Sequence, residues 1–576
     1  MDERILKKAV EKRFLNMMCE RNKQEPRWRE QALQFAPNRG RFSITDEEKR
    51  DEIRKNSIPR SIADEFAAGL GSGVMSASIA WFTLTVFEPQ LGESEAVKAY
   101  LSDATEEMLA VMIRSNLYDE AFSTFKEVGI FGTGCLLVEE DDEEVFRCRA
   151  YTVGQYAIEH DRMKKVNRFC HTLKYTLEEL AIEFGEEKLP MEMRRKLHMA
   201  ETFEHISNES YEVHHLIEEN TEYVPDAEGQ REMRYRSLYW LPGTREPEFL
   251  RITGYHEFPV MVPRWRLVGE DLYGSENPGA LALDDAKTIQ DIETDERTAI
   301  ELKVSPALLL PNTLANGSID MRAGGVTFYT PGPDGAPVIT PLFQVNFDHK
   351  AAAEKIEALR ICLEKAFYID LFRMWSADLR QGRTATEIQA REEEKVYALE
   401  PILTRLMYDF LDPLVLRIYA IMERRKLLPE PPEELDDQPY RIEYTSVLAK
   451  TQKRTSQLGL DTLLGVGQRI AELQMTVGER PSILDNFDFD TILGLVSDMH
   501  GVPAGAILGK DKVNALRVKK QEAEQQQQAA QTEAAAVQEA PQLAKTAKDL
   551  GQTPMNGGQT NALDVLQGMA AGALPN

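Results

Sequence analysis

Apolar residues recur at every fourth position near the start of the chain. Leu6, Val10, Phe14 and Met18 fall on one face, which predicts a helix over residues 4–36. Pro26 sits where it could open a second helix at its first turn, and "APNRGRFS" then breaks the pattern. From Ser61 to Pro89 the period changes within one stretch. Ile62, Phe66 and Leu70 are four apart, so it begins as a helix. Phe82, Leu84 and Val86 then alternate with Trp81, Thr83 and Thr85, which reads as a strand. The small residues Ala67, Ala68, Gly69, Gly71, Ser72 and Gly73 would admit a close backbone neighbour. Helices follow over 93–115 and 118–129.

Residues 130–270 are strand-rich. "GCLLVEEDDEEVFRCRAYTV" reads as two strands joined by an acidic turn, Glu139 to Glu144, and "YEVHHLIEE" and "YRSLYWLP" as two more. "TLEELAIEFG" is a short helix among them. A helix over Asp284–Val304 and another over Asp348–Trp375 bracket a segment dense in proline and glycine, residues 305–345. Short strands such as "GVTFYT" and "APVIT" lie there between turn signals. Ala352, Ile356, Leu359, Leu363 and Phe367 form the apolar stripe of the second helix.

The polar segment "RQGRTATEIQAREEE" comes next. Thr384 and Glu387 have the spacing of a capping box, which starts a helix running to about Leu428. Pro401 and Pro413 predict a kink or break inside it. After the strand "YRIEYT", helices are expected over 451–475 and 489–500. The Gln/Ala-rich and glycine-bearing end, 519–576, is low in complexity, and no internal repeat is present.

The totals narrow the picture. The 576 residues are 42% hydrophobic, enough for several packed subdomains, and carry a formal net charge of -27. So acidic a chain does not coat itself in nucleic acid, and any contact with phosphate must be local. Five cysteines without a Cys-x-x-Cys pair fit buried free thiols in a reducing compartment. The charged N-terminus does not resemble a signal peptide, and no apolar run reaches the length of a membrane span. The chain is expected in the cytoplasm when made.

No catalytic constellation emerges. "GIFGTGCLL" lacks the Gly-Lys-Ser/Thr ending of a phosphate loop and precedes a strand, so a tight turn is expected. His214 and His215 are adjacent on a strand and face opposite sides, which suits a structural role better than metal binding. Asp485, Asp488 and Asp490 lack the glycine and distal glutamate of a calcium loop. The acidic turn reads as a solvated hairpin tip. No enzyme activity, cofactor or metal is expected.

Four segments resemble the head-to-tail connecting, or portal, proteins of short-tailed bacteriophages. They are "FAAGLGSGVMSASIAWFTL", "LYGSENPGALALDDAKTIQDIETDERTAIELKVSPALLLP", "RTATEIQAREEEKVYALEPILTRLMYDFLDPLVLRIYAIMERRKLLP" and "YTSVLAKTQKR". "FGTGCLLVEED" and "GVPAGAILGKDKVNALRVKKQEAEQQQQAA" fit the same family, and the match in order and spacing reaches about residue 530.

The resemblance implies a helix-rich α+β subunit of a ring, usually a dodecamer, at one capsid vertex of the virion. Double-stranded DNA is packaged through that ring by the terminase motor and later ejected. Its parts would be a wing (1–283), first stem helix (284–304), clip (305–345), second stem helix (346–376), tunnel loop (377–386), wing helix with return strand (387–446), crown (447–518) and tail (519–576). Partners would be the terminase large subunit, tail adaptors, and capsid and scaffolding proteins. Arg380 and Arg383 in the tunnel loop would touch DNA phosphates without reading sequence. The alternative is a surface turn whose arginines pair with nearby glutamates. The chain's acidity would let DNA slide without sticking, or would only keep the outer wing soluble. Two rival readings remain: a nucleotide-using packaging enzyme, which needs the missing phosphate loop, and a scaffolding or structural interaction protein without a DNA channel.

Overall fold

In the computed structural model the stripe of Leu6, Val10 and Phe14 is buried along one uninterrupted helix, α1 (Glu3–Phe35). Pro26 lies inside α1 and does not open a second helix, as the sequence pattern had suggested. The helix stays in place because both halves are anchored. Its first half buries Leu6, Val10, Phe14 and Met17, and its second half buries Trp28, Ala32 and Phe35. The structure describes residues 3–41, 56–88, 94–203, 209–224, 229–244, 246–305, 346–376, 400–435, 440–445 and 465–474, with Leu91 and short pieces elsewhere.

The following elements are α2 (Ile58–Val74), β1 (Phe82–Val86), α3 (Glu95–Arg114) and α4 (Leu117–Phe131). Then come β2 (Leu136–Asp141), β3 (Val145–Ala150), β4 (Tyr156–His160), β5 (Val166–Thr176), α5 (Leu177–Phe184), α6 (Met191–Phe203), β6 (Ser210–Glu219), β7 (Tyr235–Trp240), β8 (Arg251–Tyr255) and β9 (Val260–Met261). The acidic turn is shorter than expected. The β2–β3 ladder runs to Asp141, whose side chain accepts from the N–H groups of Glu143 (2.8 Å) and Glu144 (3.1 Å). Those two bonds let residues 142–144 alone make the reversal.

The strands form two larger antiparallel sheets, β3-β2-β9 and β4-β5-β6-β7-β8. Alternation along β6 divides the five-stranded sheet into two buried faces. Leu216 packs with Trp240, Leu238 and the first half of α1, while Val213 packs with Leu180 and Leu197 of α5 and α6. Thr176 and Glu179 close the capping box that starts α5.

The main core joins α2, α3, α4 and the three-stranded sheet to the helices that follow. These are α7 (Pro278–Leu281), α8 (Leu283–Val304), α9 (His349–Ala366), α10 (Ile369–Ser376) and α11 (Asp412–Arg424), with short β10 (Leu308–Leu309) and β11 (Thr340–Pro341) between α8 and α9. β12 (Tyr440–Tyr444) pairs antiparallel with β1, from Phe82↔Tyr444 to Val86↔Tyr440. The chain forms two compact units, Met1–Gly501 and Val502–Asn576. The second unit holds a short hairpin, β13 (Pro554–Met555) with β14 (Thr560–Asn561).

Two helices depart from their sequence patterns. The one expected over 348–375 breaks into α9 and α10 at Phe367–Tyr368, where Tyr368 takes φ 57°. Aromatic packing explains the break, because the turn brings both Phe367 and Phe372 onto Phe66, at centroid distances of 5.7 and 5.8 Å. Such a left-handed residue costs about 1–3 kcal/mol locally. Gly69 completes this contact. A Cβ there would lie 2.4 Å from Phe372 Cγ, so the small-residue stretch of α2 admits an aromatic side chain at this position. In the later helix, Pro413 offers no N–H to the helix, and residues Met407–Leu411 widen into a π-turn with Asp412 N–H donating to the Met407 carbonyl. α11 then ends at Arg424, before the expected Leu428.

Candidate functional site

The helix hairpin α8–α9 covers most of the residues, 284–304 and 346–376, for which the resemblance implies a stem. Ala286, Ile289, Gln290 and Ala299 of α8 are buried, as are Ala352, Leu359, Leu363 and Glu364 of α9. Gln290 exchanges two bonds with the backbone of Asn56, at 2.9 Å each, and Lys287 reaches Glu30 at 2.7 Å. These contacts fix the base of α8 to the body of the subunit.

The far end of the pair is closed by three side chains. His349 Nδ1 lies 2.8 Å from Glu296 Oε1, and Lys303 Nζ lies 3.2 Å from His349 Nε2. With Lys303 donating to Nε2, the ring's own N–H sits on Nδ1 and donates to Glu296. Asp348 caps α9 by accepting from the N–H groups of Lys350 (3.0 Å) and Ala351 (3.1 Å). β10 and β11 pair antiparallel just beyond, so the Pro/Gly-rich segment leaves and returns at one point. Apart from these two pairs, the strands expected between 305 and 345 lie outside the described residues.

α10 carries the chain from this hairpin toward the predicted loop. Arg373 is bound by Glu65 at 2.6 and 2.8 Å and by Glu364 at 3.1 Å. On the return side, Asp409 in the π-turn accepts from Arg264 at 3.0 and 3.1 Å and from Arg405 at 2.9 Å. Burial pulls the Arg264 guanidinium down from its ordinary range, and Asp409 opposes that shift. Arg417 of α11 is buried and donates to the Val138 carbonyl at 2.9 Å, holding α11 against β2. Arg373 before the predicted loop and Asp409 well after it are therefore held by ionic contacts. Arg380, Arg383, Thr384 and Glu387 themselves lie outside the described residues, as do Asp485, Asp488, Asp490 and most of the expected helices at 451–475 and 489–500.

The other sequence candidates resolve into structure. Gly132 caps α4 at φ 80°, and its carbonyl accepts from Trp265 N–H at 2.8 Å, while Gly134 N–H donates to the Pro263 carbonyl at 2.9 Å. The glycine stretch is thus a tight crossing and its Gly134 amide is already engaged. Glu127, buried beside it, accepts from Arg39, Thr152 and Val153, and burial pushes its carboxyl up against the pull of Arg39. His214 stacks on Phe14, whereas His215 points to the other face and bonds to His171 and Ser237. Of the five free cysteines, Cys135, Cys148 and Cys170 are buried, but Cys19 and Cys362 are exposed, which corrects the expectation of buried thiols. Among the described residues no group of three or more His, Cys, Asp or Glu side chains could hold a metal, and no helix is long and apolar enough to cross a membrane.

Sequence reasoning missed the Glu296–His349–Lys303 closure and the Arg264–Asp409 pair. A histidine just after the Asp348 cap was a visible but unspecific signal for the first. Nothing local marks the second, since its partners are 145 residues apart.

The family model described as "Bacteriophage head to tail connecting protein" matches residues 7–508, and the chain belongs to that family. It is 32% identical over 536 residues to the "Probable portal protein" of Bordetella phage BPP-1, covering 92% of this chain and 94% of that one. It is 29% identical over 551 residues to the "Portal protein" of Salmonella phage epsilon15, covering 94% and 95%. Among solved structures, a chain from the neck of an empty GTA particle aligns with TM-score 0.34 and 11% identity, over 78% of this chain and 99% of that one; a likeness this slight carries no argument. The chain is a helix-rich α+β subunit of the portal type.

Proposed function

We propose that the protein is a phage portal: a ring, usually of twelve copies, at one capsid vertex, through which double-stranded DNA enters and later leaves. The observation that carries this reading is the hairpin α8–α9. It leaves a wing-like body, is closed at its far end by Glu296, His349 and Lys303, and bears the β-containing segment there. In this reading α8 and α9 are the stem and residues 305–345 the clip. The clip meets the terminase large subunit during packaging and tail adaptors afterwards, while capsid and scaffolding proteins surround the wing. The segment 377–386 is the tunnel loop, with Arg380 and Arg383 touching phosphates as local contacts. The protein acts as a structural component, without a cofactor.

Negative-stain electron microscopy of the purified chain, classified by rotational symmetry, tests the reading. Rings with a central hole and about twelvefold symmetry are expected. A protein that stays monomeric or dimeric at high concentration would overturn it, and turnover of ATP would revive the enzyme alternative.

A further inference from the structure

A chain with a formal charge of -27 repels its own copies, so any self-association must rest on local attraction. The hairpin α8–α9 carries two exposed stripes of opposite sign. On α8, Asp284, Thr288, Asp291 and Asp295 follow the spacing of one helical face, and the three aspartates are exposed. On α9, Ala351, Lys355, Ala358, Cys362 and Lys365 do the same, and all five are exposed.

Several charged neighbours on the same helices are already paired: Lys287 with Glu30, Arg297 with Glu293, His349 with Glu296, Lys350 with Glu354, and Arg360 with Glu357 and Glu364. Asp284, Asp291, Asp295, Lys355 and Lys365 have no ion partner among the described residues. Neither stripe lies among the buried residues of the hairpin.

The two stripes also match in height. The contacts of His349 with Glu296 and Lys303 fix the antiparallel register of the pair. Both helices advance about 1.5 Å per residue, so equal residue counts mean equal distance along the axis. Counting from that contact, Lys355 stands level with Asp291 and Asp295, and Lys365 stands level with Asp284. In a closed ring, copies are related by rotation without a rise, so helices running along the axis meet neighbouring copies at equal height.

We infer that the lysine stripe of α9 docks on the aspartate stripe of α8 in the next copy of this chain, making a head-to-tail contact that repeats around the ring. The inference rests on the ring reading above and adds the faces and residues that join the copies. It places Cys362 near Thr288 of the neighbouring copy.

The test uses two full-length variants. One carries Lys355→Glu and Lys365→Glu. The other carries Asp284→Lys, Asp291→Lys and Asp295→Lys. Each variant presents like charge to its own copies, and its assembly midpoint in mass photometry should rise by about tenfold or more. Mixed in equal amounts, they should assemble again, because every contact between unlike copies pairs acid with base. Variants that assemble like the parent chain, or that stay apart when mixed, overturn the inference while leaving the ring itself intact. A parent chain that forms no ring overturns the portal reading instead. As a second measurement, Thr288→Cys in a Cys19→Ser background should be joined to Cys362 by a short bismaleimide into a ladder of oligomers. A ladder no stronger than that of the Cys19→Ser chain alone also counts against the contact.

Discussion

His171 Nε2 and His215 Nδ1 lie 2.8 Å apart between directly paired strands, and His215 Nε2 lies 2.8 Å from Ser237 Oγ on the next strand. The chain of bonds crosses the middle of the five-stranded sheet, with Tyr151 edge-on to His171 and Tyr239 stacked on His215. Burial lowers the basicity of both rings, His171 to about 3 and His215 well below its ordinary value. Arg149 beside His171 and Arg251 beside His215 act in the same direction.

The sheet should therefore be sensitive to acid. Both histidines are neutral in the folded chain, while the unfolded chain binds protons below about pH 6.5. Their contribution to stability is complete above that value and is lost as pH falls toward about 3 for His171. The expected slope is about 1.4 kcal/mol per histidine per pH unit within that window. Denaturant unfolding between about pH 6.5 and 4.5, compared with a His171→Gln/His215→Gln variant, measures it. An equal slope in the variant would refute the assignment.

Gly274 and Gly132 meet backbone to backbone. A Cβ on Gly274 would lie 2.1 Å from the Gly132 carbonyl oxygen, and neither segment has a flexible side chain to move aside. Gly274→Ala should lower stability by about 1–3 kcal/mol or more. Gly243, at φ 75° with nothing within 4 Å, is the control. Its alanine variant should lose only the roughly 1–2 kcal/mol of a left-handed residue. In thermal unfolding, a loss for Gly274→Ala larger than that for Gly243→Ala shows the clash, and an equal or smaller loss counts against it.

Asp409 neutralises a buried guanidinium. Asp409→Leu leaves Arg264 buried without its carboxylate and should cost about 3–5 kcal/mol. Adding Arg264→Met should recover part of that loss, since the buried pair is then replaced by apolar volume while the partly exposed Arg405 still lacks its carboxylate. The double variant unfolding at the same denaturant concentration as Asp409→Leu alone would show that the pair's charge is not what matters.

Arg380 and Arg383 give the test of the loop. If they touch passing phosphates, Arg380→Ala with Arg383→Ala should reduce packaged or retained DNA while rings still form. Normal packaging and retention would leave them as surface arginines paired with neighbouring glutamates.

Much of the local structure was legible in the sequence. The period of four in Leu6, Val10 and Phe14, the alternation of Phe82, Leu84 and Val86, and the short helix at "TLEELAIEFG" each follow from neighbours within a few residues. The hairpin flanking the Pro/Gly-rich segment was legible for the same reason. What failed had distant causes. The break at Tyr368 depends on Phe66, about 300 positions earlier, whereas the π-turn at 407–411 lies beside Pro413, where a kink or break was expected.

The sequence by itself determined the order of most of the described helices and strands, the absence of a phosphate-loop motif, and the acidity that makes any DNA contact local. Periodicity, turn chemistry and charge are short-range properties, or sums over the chain. The tertiary structure alone decided that β1 pairs with β12, that Arg264 meets Asp409, and that Lys355 stands level with Asp291 and Asp295. Those relations depend on where distant segments come to rest when apolar faces are buried together, and no local pattern encodes that position.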